Sequence, residues 1–153
     1  MRVEQNNSAV TYSGNWSNNG MTKHSGSSAA LSVDKGSRAT FRFTGTAAKW
    51  IGFKDGWSGI ARVYVDGSYK REVNTYASVD AARAVLYSIT GLKSGSHTLT
   101  IEVTGRKSSA SGGAWIWVDA FEYTSGGTTT TATTTTSLSG KSLKTSGTLS
   151  SLT

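Results

Sequence analysis

The sequence predicts an all-β fold, an antiparallel β-sandwich of two sheets over residues 1–123. Apolar residues alternate with polar ones in many short runs, as in strands with one buried face. Gly- and Ser-rich turns separate these runs at intervals of about ten residues, the spacing expected of a sandwich or barrel. Gly, Ser and Thr also outnumber Ala, Leu, Glu and Lys, which favours strands and turns over helices.

The first clear alternation along the chain is Val10-Thr11-Tyr12, and the next is "RATFRFTG" (38–45). Ala39, Phe41 and Phe43 share one face of the second segment and are expected to point inward. The series continues with "KWIGF", "ARVYVDG", "YKREV", "AVLYSI", "HTLTIEV" and "AWIWVDAFEY". We therefore expect strands along the whole segment.

Two local patterns refine this series. Asp66-Gly67 between two strand-like runs indicates a two-residue hairpin. Residues 78–86 are the only helical candidate, but Val85, Tyr87 and Ile89 alternate and read better as a strand. The strand-like context also assigns six aromatic residues to the core: Phe41, Phe43, Trp50, Phe53, Trp117 and Phe121.

The composition changes sharply after Tyr123. Residues 124–153 are rich in Thr and Ser and nearly devoid of large apolar side chains, so they cannot bury enough apolar area to offset the entropy of ordering. We predict a disordered linker or stalk here, of the kind that joins modules of extracellular proteins. The longest nearly uninterrupted apolar run, residues 115–120, is far shorter than a membrane span.

No catalytic motif stands out, and we do not expect an enzyme. The chain has no cysteine, which excludes disulfides, thiol catalysis and cysteine–zinc sites. His97 opens a strand beside a turn, where a hydrogen-bonded structural role is the more common one, and His24 has no carboxylate nearby in sequence. Asp34, Asp55, Asp66 and Asp80 lie in or beside turns, where Asp bonds to local backbone.

Four aromatic residues fall instead in polar, turn-rich contexts. Leaving an indole in water forgoes about 2 kcal/mol of available burial, so several such residues together suggest a binding platform. A flat ring can pack against the C–H groups of a pyranose while neighbouring polar groups bond to its hydroxyls. The alternative is that these rings fold back over the core. The four residues are Trp16, Trp57, Tyr76 and Trp115.

Six segments of the chain together resemble a known family: β-jelly-roll, galactose-binding-like modules attached to secreted bacterial glycoside hydrolases and polysaccharide lyases. The resemblance extends over nearly all of residues 2–123 and implies a jelly roll with a sugar site on end loops or on the concave sheet face. The segments are "YSGNW" (12–16), "ATFRFTG" (39–45), "KWIGF" (49–53), "GIARVYVDG" (59–67), "GLKSGSHTLTIEVTG" (91–105) and "WVDAFEY" (117–123).

The resemblance, together with the loop aromatics, predicts a carbohydrate-binding module. Trp16, Trp57 and Tyr76 would stack on sugar rings, with Trp115 as a weaker candidate. Polar contacts would come from Lys54, Asp55, Arg62 and Arg83. The formal net charge of +7 makes an acidic glycan one possible ligand.

The resemblance also implies a structural calcium ion between the first and last strands, with Glu4 and Asp119 as its candidate ligands; no other cofactor is expected. We expect a secreted, monomeric module whose partners are a polysaccharide and a catalytic domain of the same parent chain, with no membrane partner. The main alternative is a structural or adhesive β-module without a glycan ligand. Single-stranded nucleic acid ranks last because the basic residues are scattered.

Overall fold

The structure, a computed structural model, describes residues 1–125, and the regular elements in this range are strands apart from one 3-10 turn at Ser25–Ser27. No helix among these residues has the length and hydropathy to cross a bilayer. The strands are β1 (Arg2–Glu4), β2 (Val10–Ser13), β3 (Ser17–Asn19), β4 (Ala29–Ser32), β5 (Arg38–Gly45), β6 (Ala47–Lys54), β7 (Ile60–Val65), β8 (Ser68–Asn74), β9 (Ala81–Ile89), β10 (Gly95–Arg106), β11 (Ile116–Val118) and β12 (Ala120–Thr124).

The strands form three sheets: a five-stranded sheet in the order β2-β5-β10-β7-β8, a four-stranded sheet β1-β12-β6-β9, and a three-stranded sheet β11-β4-β3. The pairings with a resolved register are antiparallel. β11 leads into β12 with a single break at Asp119, whose N–H donates to the Ile51 carbonyl of β6 at 2.9 Å. The three- and four-stranded sheets therefore continue one another, and the predicted two-layer antiparallel sandwich is confirmed.

The core lies between the two layers and contains the predicted aromatic residues. The Phe41 ring on β5 stacks on the Phe121 ring on β12, with centroids 4.7 Å apart. Trp50 is fully buried, and its indole N–H donates to the Trp117 carbonyl at 3.0 Å. This bond satisfies a donor that would otherwise be buried without a hydrogen-bond partner. All six aromatic residues assigned to the core are buried.

Local predictions about the turns are also confirmed. Asp66 and Gly67 have φ values of 53° and 80°, and two consecutive positive φ angles define the hairpin turn expected between β7 and β8. The Nδ1 atom of His97 lies 2.7 Å from the Asp66 carboxylate, so His97 has the hydrogen-bonded structural role expected of it. Residues 81–89 form a strand, not a helix.

The chain divides into two compact units. The first, Met1–Phe43, Ala47–Thr90 and Ser96–Tyr123, contains all the residues of the candidate sites. Among the described residues, the second comprises Thr44–Thr46, Gly91–Gly95, Thr124 and Ser125. In it the Leu92 N–H donates to the Thr46 carbonyl at 2.9 Å. The predicted linker, residues 124–153, lies outside the described residues except for its first two positions, and the predicted boundary at residue 123 stays a prediction.

Candidate functional site

The loop between β6 and β7, residues 55–59, is folded around the side chain of Asp55. Asp55 Oδ1 accepts a hydrogen bond from the Trp57 N–H at 3.0 Å and another from the Ser58 hydroxyl at 2.6 Å. Asp commonly organises turns by bonding to backbone two residues further on. We call residues 55–59 the Trp57 loop. The Asp55 carboxylate therefore has a structural task in this loop, and its role as a predicted ligand contact stays untested.

Two other loops meet the Trp57 loop. The Trp115 N–H donates to the Trp57 carbonyl at 3.1 Å, and the Gly112 N–H donates to the Gly56 carbonyl at 2.7 Å. The hydroxyl of buried Ser111 lies 2.8 Å from the Ser58 carbonyl. These bonds hold residues 111–115 firmly against the Trp57 loop.

The third loop, residues 75–77, follows β8. The Ala77 N–H donates to the Asp55 carbonyl at 3.0 Å, and Tyr76 forms a backbone bridge with Asp55. Thr75 is fully buried and donates both its N–H and its hydroxyl to the Gly59 carbonyl, at 2.9 and 2.7 Å. The structure therefore brings Trp57, Tyr76 and Trp115 to one group of three loops.

The three aromatic residues of this group differ in exposure. Trp57 is 62% exposed, whereas Tyr76 and Trp115 are partly buried. Trp115 packs against a core cluster of Ala29, Phe53 and Trp117, so much of its ring faces the protein. The Trp57 indole is the largest aromatic surface that the group leaves in water.

The Trp57 indole lies on Gly112. A Cβ atom added to Gly112 would come within 2.7 Å of Cζ3 and 2.8 Å of Cε3 of the indole, so only glycine allows this close approach. The indole rests on main chain while most of its surface stays exposed. Gly112 and Ser111 were not identified from the sequence, since only the fold shows that this Gly- and Ser-rich segment supports an aromatic side chain 55 residues earlier.

Trp16 precedes β3 and belongs to none of the three loops around Trp57. Its ring centroid is 5.2 Å from that of Tyr12, and its indole N–H donates to the Ser13 carbonyl at 2.9 Å. It lines a cavity of about 210 Å³ whose lining residues include none from the three loops around Trp57. The cavity beside Trp16 and the three loops around Trp57 therefore share no residue, and a single platform of the four aromatic residues stays a prediction.

The predicted polar residues Lys54, Arg62 and Arg83 differ in their position and in their contacts. Lys54 ends β6, directly before the Trp57 loop. Arg62 projects from β7 into an ion-pair network, 3.6 Å from the Glu72 carboxylate and 3.9 Å from that of Glu102. Arg83 donates to the carbonyls of Thr22 and His24 at 3.4 and 3.3 Å. Arg62 and Arg83 thus make protein contacts, and their roles toward a ligand stay predictions.

Glu4 and Asp119, the predicted calcium ligands, meet around Ser25. Asp119 Oδ2 accepts the Ser25 N–H at 2.8 Å, and Glu4 Oε2 accepts the Ser25 hydroxyl at 2.9 Å. The other oxygens, Glu4 Oε1 and Asp119 Oδ1, are buried without a hydrogen-bond partner among the described residues. Burial raises the pKa of Asp119 to about 6; the Ser25 N–H opposes this rise and the Glu4 charge adds to it.

The two orphaned carboxylate oxygens are the donor type that Ca²⁺ takes, so these residues fit a calcium ion. Two carboxylates supply only part of a shell of six to eight oxygens, and no group of three or more His, Cys, Asp or Glu residues within the described range could hold a metal. Main-chain carbonyls and water would have to complete the shell.

Comparisons with known proteins agree with the fold. No family model matches the chain. An A type blood N-acetyl-alpha-D-galactosamine deacetylase from Flavonifractor plautii is 33% identical over 99 residues, covering 65% of this chain and 13% of that protein. The chain therefore spans about an eighth of the length of this relative.

Two solved domains have the same fold as this chain over nearly their whole length. A family 35 carbohydrate binding module from Clostridium thermocellum superposes with a TM-score of 0.54 at 14% identity, covering 80% of this chain and 96% of that one. The CBM36-1 domain of a multidomain xylanase from the hindgut metagenome of Trinervitermes trinervoides gives a TM-score of 0.51 at 15% identity, covering 79% and 93%. The chain has the jelly-roll fold of these modules.

Proposed function

We propose that residues 1–123 form a non-catalytic carbohydrate-binding module whose primary sugar contact is the Trp57 indole. The observation that carries this proposal is the geometry of the Trp57 loop. A large aromatic ring is left 62% exposed on a loop that its own hydrogen bonds and two neighbouring loops hold in place. Rigid aromatic side chains presented this way lose little conformational entropy when a ligand covers them.

The chemistry at this loop suits a sugar. The C–H face of a pyranose can cover the apolar indole, and the surrounding groups can bond to its hydroxyls. Lys54 stands at the start of the loop, and Lys107, whose ammonium donates to the Ser111 carbonyl at 2.9 Å, stands beside residues 111–115. Tyr76 and the exposed edge of Trp115 would widen the surface. These two lysines would also favour an acidic group on the ligand.

The comparisons support a targeting role. The domains matched over more than nine-tenths of their length are binding modules, and the sequence relative is a much longer carbohydrate-active enzyme. We propose that this module holds a catalytic domain of the same parent chain against a polysaccharide outside the cell. It would act as a monomer, because sugar binding at the Trp57 loop requires no second copy.

We also propose that Glu4 and Asp119 hold a structural calcium ion. The ion would neutralise two buried carboxylates and satisfy the two orphaned oxygens. Because β1 pairs with β12, it would also strengthen the contact between the first strand and the last. Its role would be stability, since Glu4 and Asp119 do not line the Trp57 group.

Affinity electrophoresis tests the proposed binding. The wild-type protein is run through gels that contain neutral polysaccharides (xylan, mannan, galactan) or acidic ones (polygalacturonate, xanthan). The proposal expects retardation by at least one polymer and its loss in Trp57→Ala. Tyr69→Ala is the matched control, because Tyr69 is also an exposed aromatic residue, 54% exposed on β8, but lies outside the Trp57 group.

The outcomes separate the candidate functions. Retardation by a polymer that Trp57→Ala leaves unchanged would remove Trp57 from the binding site. No retardation by any of the polymers would favour the structural or adhesive module instead.

A further inference from the structure

The cavity beside Trp16 is a second concave surface that the Trp57 group does not explain. It has a volume of about 210 Å³, below the roughly 300 Å³ at which sites for drug-sized ligands begin. The space suits a single sugar residue. Its lining consists of Gln5, Asn6, Tyr12, Trp16, Ser17, Asn18 and Ala30.

The two aromatic rings of this cavity are fixed by hydrogen bonds at their polar ends. The Trp16 indole N–H donates to the Ser13 carbonyl at 2.9 Å, and the Tyr12 hydroxyl donates to the Gln5 carbonyl at 2.7 Å. The rings are tilted by 59° with centroids 5.2 Å apart. Tyr12 is 36% exposed and Trp16 is partly exposed. Both rings are therefore held at a set angle with some of their surface available.

The loop that carries Trp16 is held in place as well. The Asn15 N–H donates to the Ser37 hydroxyl at 3.1 Å, and the Asn15 side-chain amide donates to the Asp34 carboxylate at 2.9 Å. These bonds attach the turn after β2 to the segment before β5. The position of Trp16 is therefore set by the protein before any ligand arrives, which lowers the entropic cost of binding.

The polar groups at the rim are amides with free hydrogen-bonding capacity. Asn6 and Asn18 are exposed. Within residues 1–125, neither side-chain amide is hydrogen-bonded to another protein group. An amide offers a donor and an acceptor, which matches the two roles of a sugar hydroxyl. The lining contains no Lys, Arg, Asp or Glu, so nothing in it would favour a charged sugar over a neutral one.

We propose that this cavity is a second sugar-binding site, which takes one neutral pyranose residue. The Trp16 and Tyr12 rings receive its C–H face, and the Asn6 and Asn18 amides bond to its hydroxyls. The inference takes its class of ligand, a sugar, from the proposed function. The residues that carry it are not part of the Trp57 group. Two sites on one module raise its retention on a polymer through effective concentration.

Nitrogen-15 NMR of the full chain tests this site directly. The five indole N–H signals are assigned by single Trp→Phe variants. The protein is then titrated with the methyl glycosides of galactose, N-acetylgalactosamine, glucose, mannose, xylose and glucuronic acid. We expect at least one neutral glycoside to shift the Trp16 indole signal and the Asn6 and Asn18 amide signals in a saturable manner.

Variants separate the two sites. In Trp57→Ala the dissociation constant read from the Trp16 signal should stay within twofold of the wild-type value. Asn18→Ala, at an exposed amide that the fold does not use, should weaken binding at this site about fivefold, as expected for the loss of one hydrogen bond. Trp16→Ala should abolish it, while Tyr69→Ala, the exposed aromatic control, should leave it unchanged.

Each outcome decides one of the two proposals. If a glycoside moves the Trp57 signal and none moves the Trp16 signal, the second site is refuted while the proposed function stands. If the Trp16 signal moves and the Trp57 signal does not, the second site stands, and the Trp57 site is decided by the electrophoresis of Trp57→Ala in polysaccharide gels. A glucuronide that binds at Trp16 as tightly as the best neutral glycoside would overturn the assignment to neutral sugars.

Discussion

The free energy of unfolding should depend on pH through the buried carboxyl of Asp119. Its pKa is raised to about 6 in the folded protein, mainly by burial, from an ordinary value of 3.8. The folded state therefore binds a proton more tightly than the unfolded state. The stabilisation is fully present below pH 3.8 and is lost as the pH rises through 6. A difference of about two pKa units corresponds to about 3 kcal/mol.

The assay is urea unfolding of the EDTA-treated protein at several pH values between 3.5 and 7.5. Wild type is compared with Asp119→Asn, which keeps the shape of the side chain without the ionisable group. Taking the difference between the two proteins at each pH cancels the titration of shared groups. Wild type should lose about 2.4 kcal/mol relative to the variant between pH 4 and pH 7. Parallel pH profiles would refute the assignment of a buried, proton-retaining carboxyl.

Three further predictions concern the support of Trp57, a buried histidine and the proposed calcium ion. Gly112→Ala should displace the Trp57 indole and weaken polysaccharide binding several-fold with little change in melting temperature, whereas Gly56→Ala, with open space around it, should change neither. His24 is buried and its pKa is lowered, mainly by burial and then by the charges of Lys23 and Arg83. The contribution of His24 to stability should therefore fall as the pH drops below about 6.5, and in urea unfolding wild type should lose stability relative to His24→Gln over this range. At pH 7, added Ca²⁺ should raise the melting temperature of the EDTA-treated wild type and not that of Asp119→Asn; equal shifts in both proteins would contradict the proposed calcium site.

The fold could be predicted because its signals are local. Alternation of apolar and polar residues within a strand decides which side chains point inward, as Phe41 and Phe43 on β5 show. The Asp66-Gly67 turn is equally local, since the two residues themselves allow the positive φ angles. Such features need no knowledge of which strands become neighbours.

The candidate site was only partly predictable. The polar surroundings of Trp57 in the sequence indicated an exposed ring, and the structure shows one. The support of this ring by Gly112 depends on which loops meet in space, and no local pattern contains that information. The same holds for Ser25, which joins the two carboxylates of Glu4 and Asp119.

The sequence also did not predict the burial of His24. Its neighbours in sequence are polar, as in an exposed loop. In the fold its ring lies 5.2 Å from that of Trp117 and 5.8 Å from that of Phe53, two residues of a core cluster. Aromatic residues far along the chain therefore bury a segment that its own composition marks as surface.

Calorimetric titration with an oligosaccharide from a polymer that retards the protein measures the central claim most directly. We predict that Trp57→Ala binds at least tenfold more weakly than wild type, a loss of about 1.4 kcal/mol or more. Tyr69→Ala should bind like wild type, and both variants should keep the wild-type melting temperature within about two degrees. Equal affinities for wild type and a correctly folded Trp57→Ala would contradict sugar binding at the Trp57 loop.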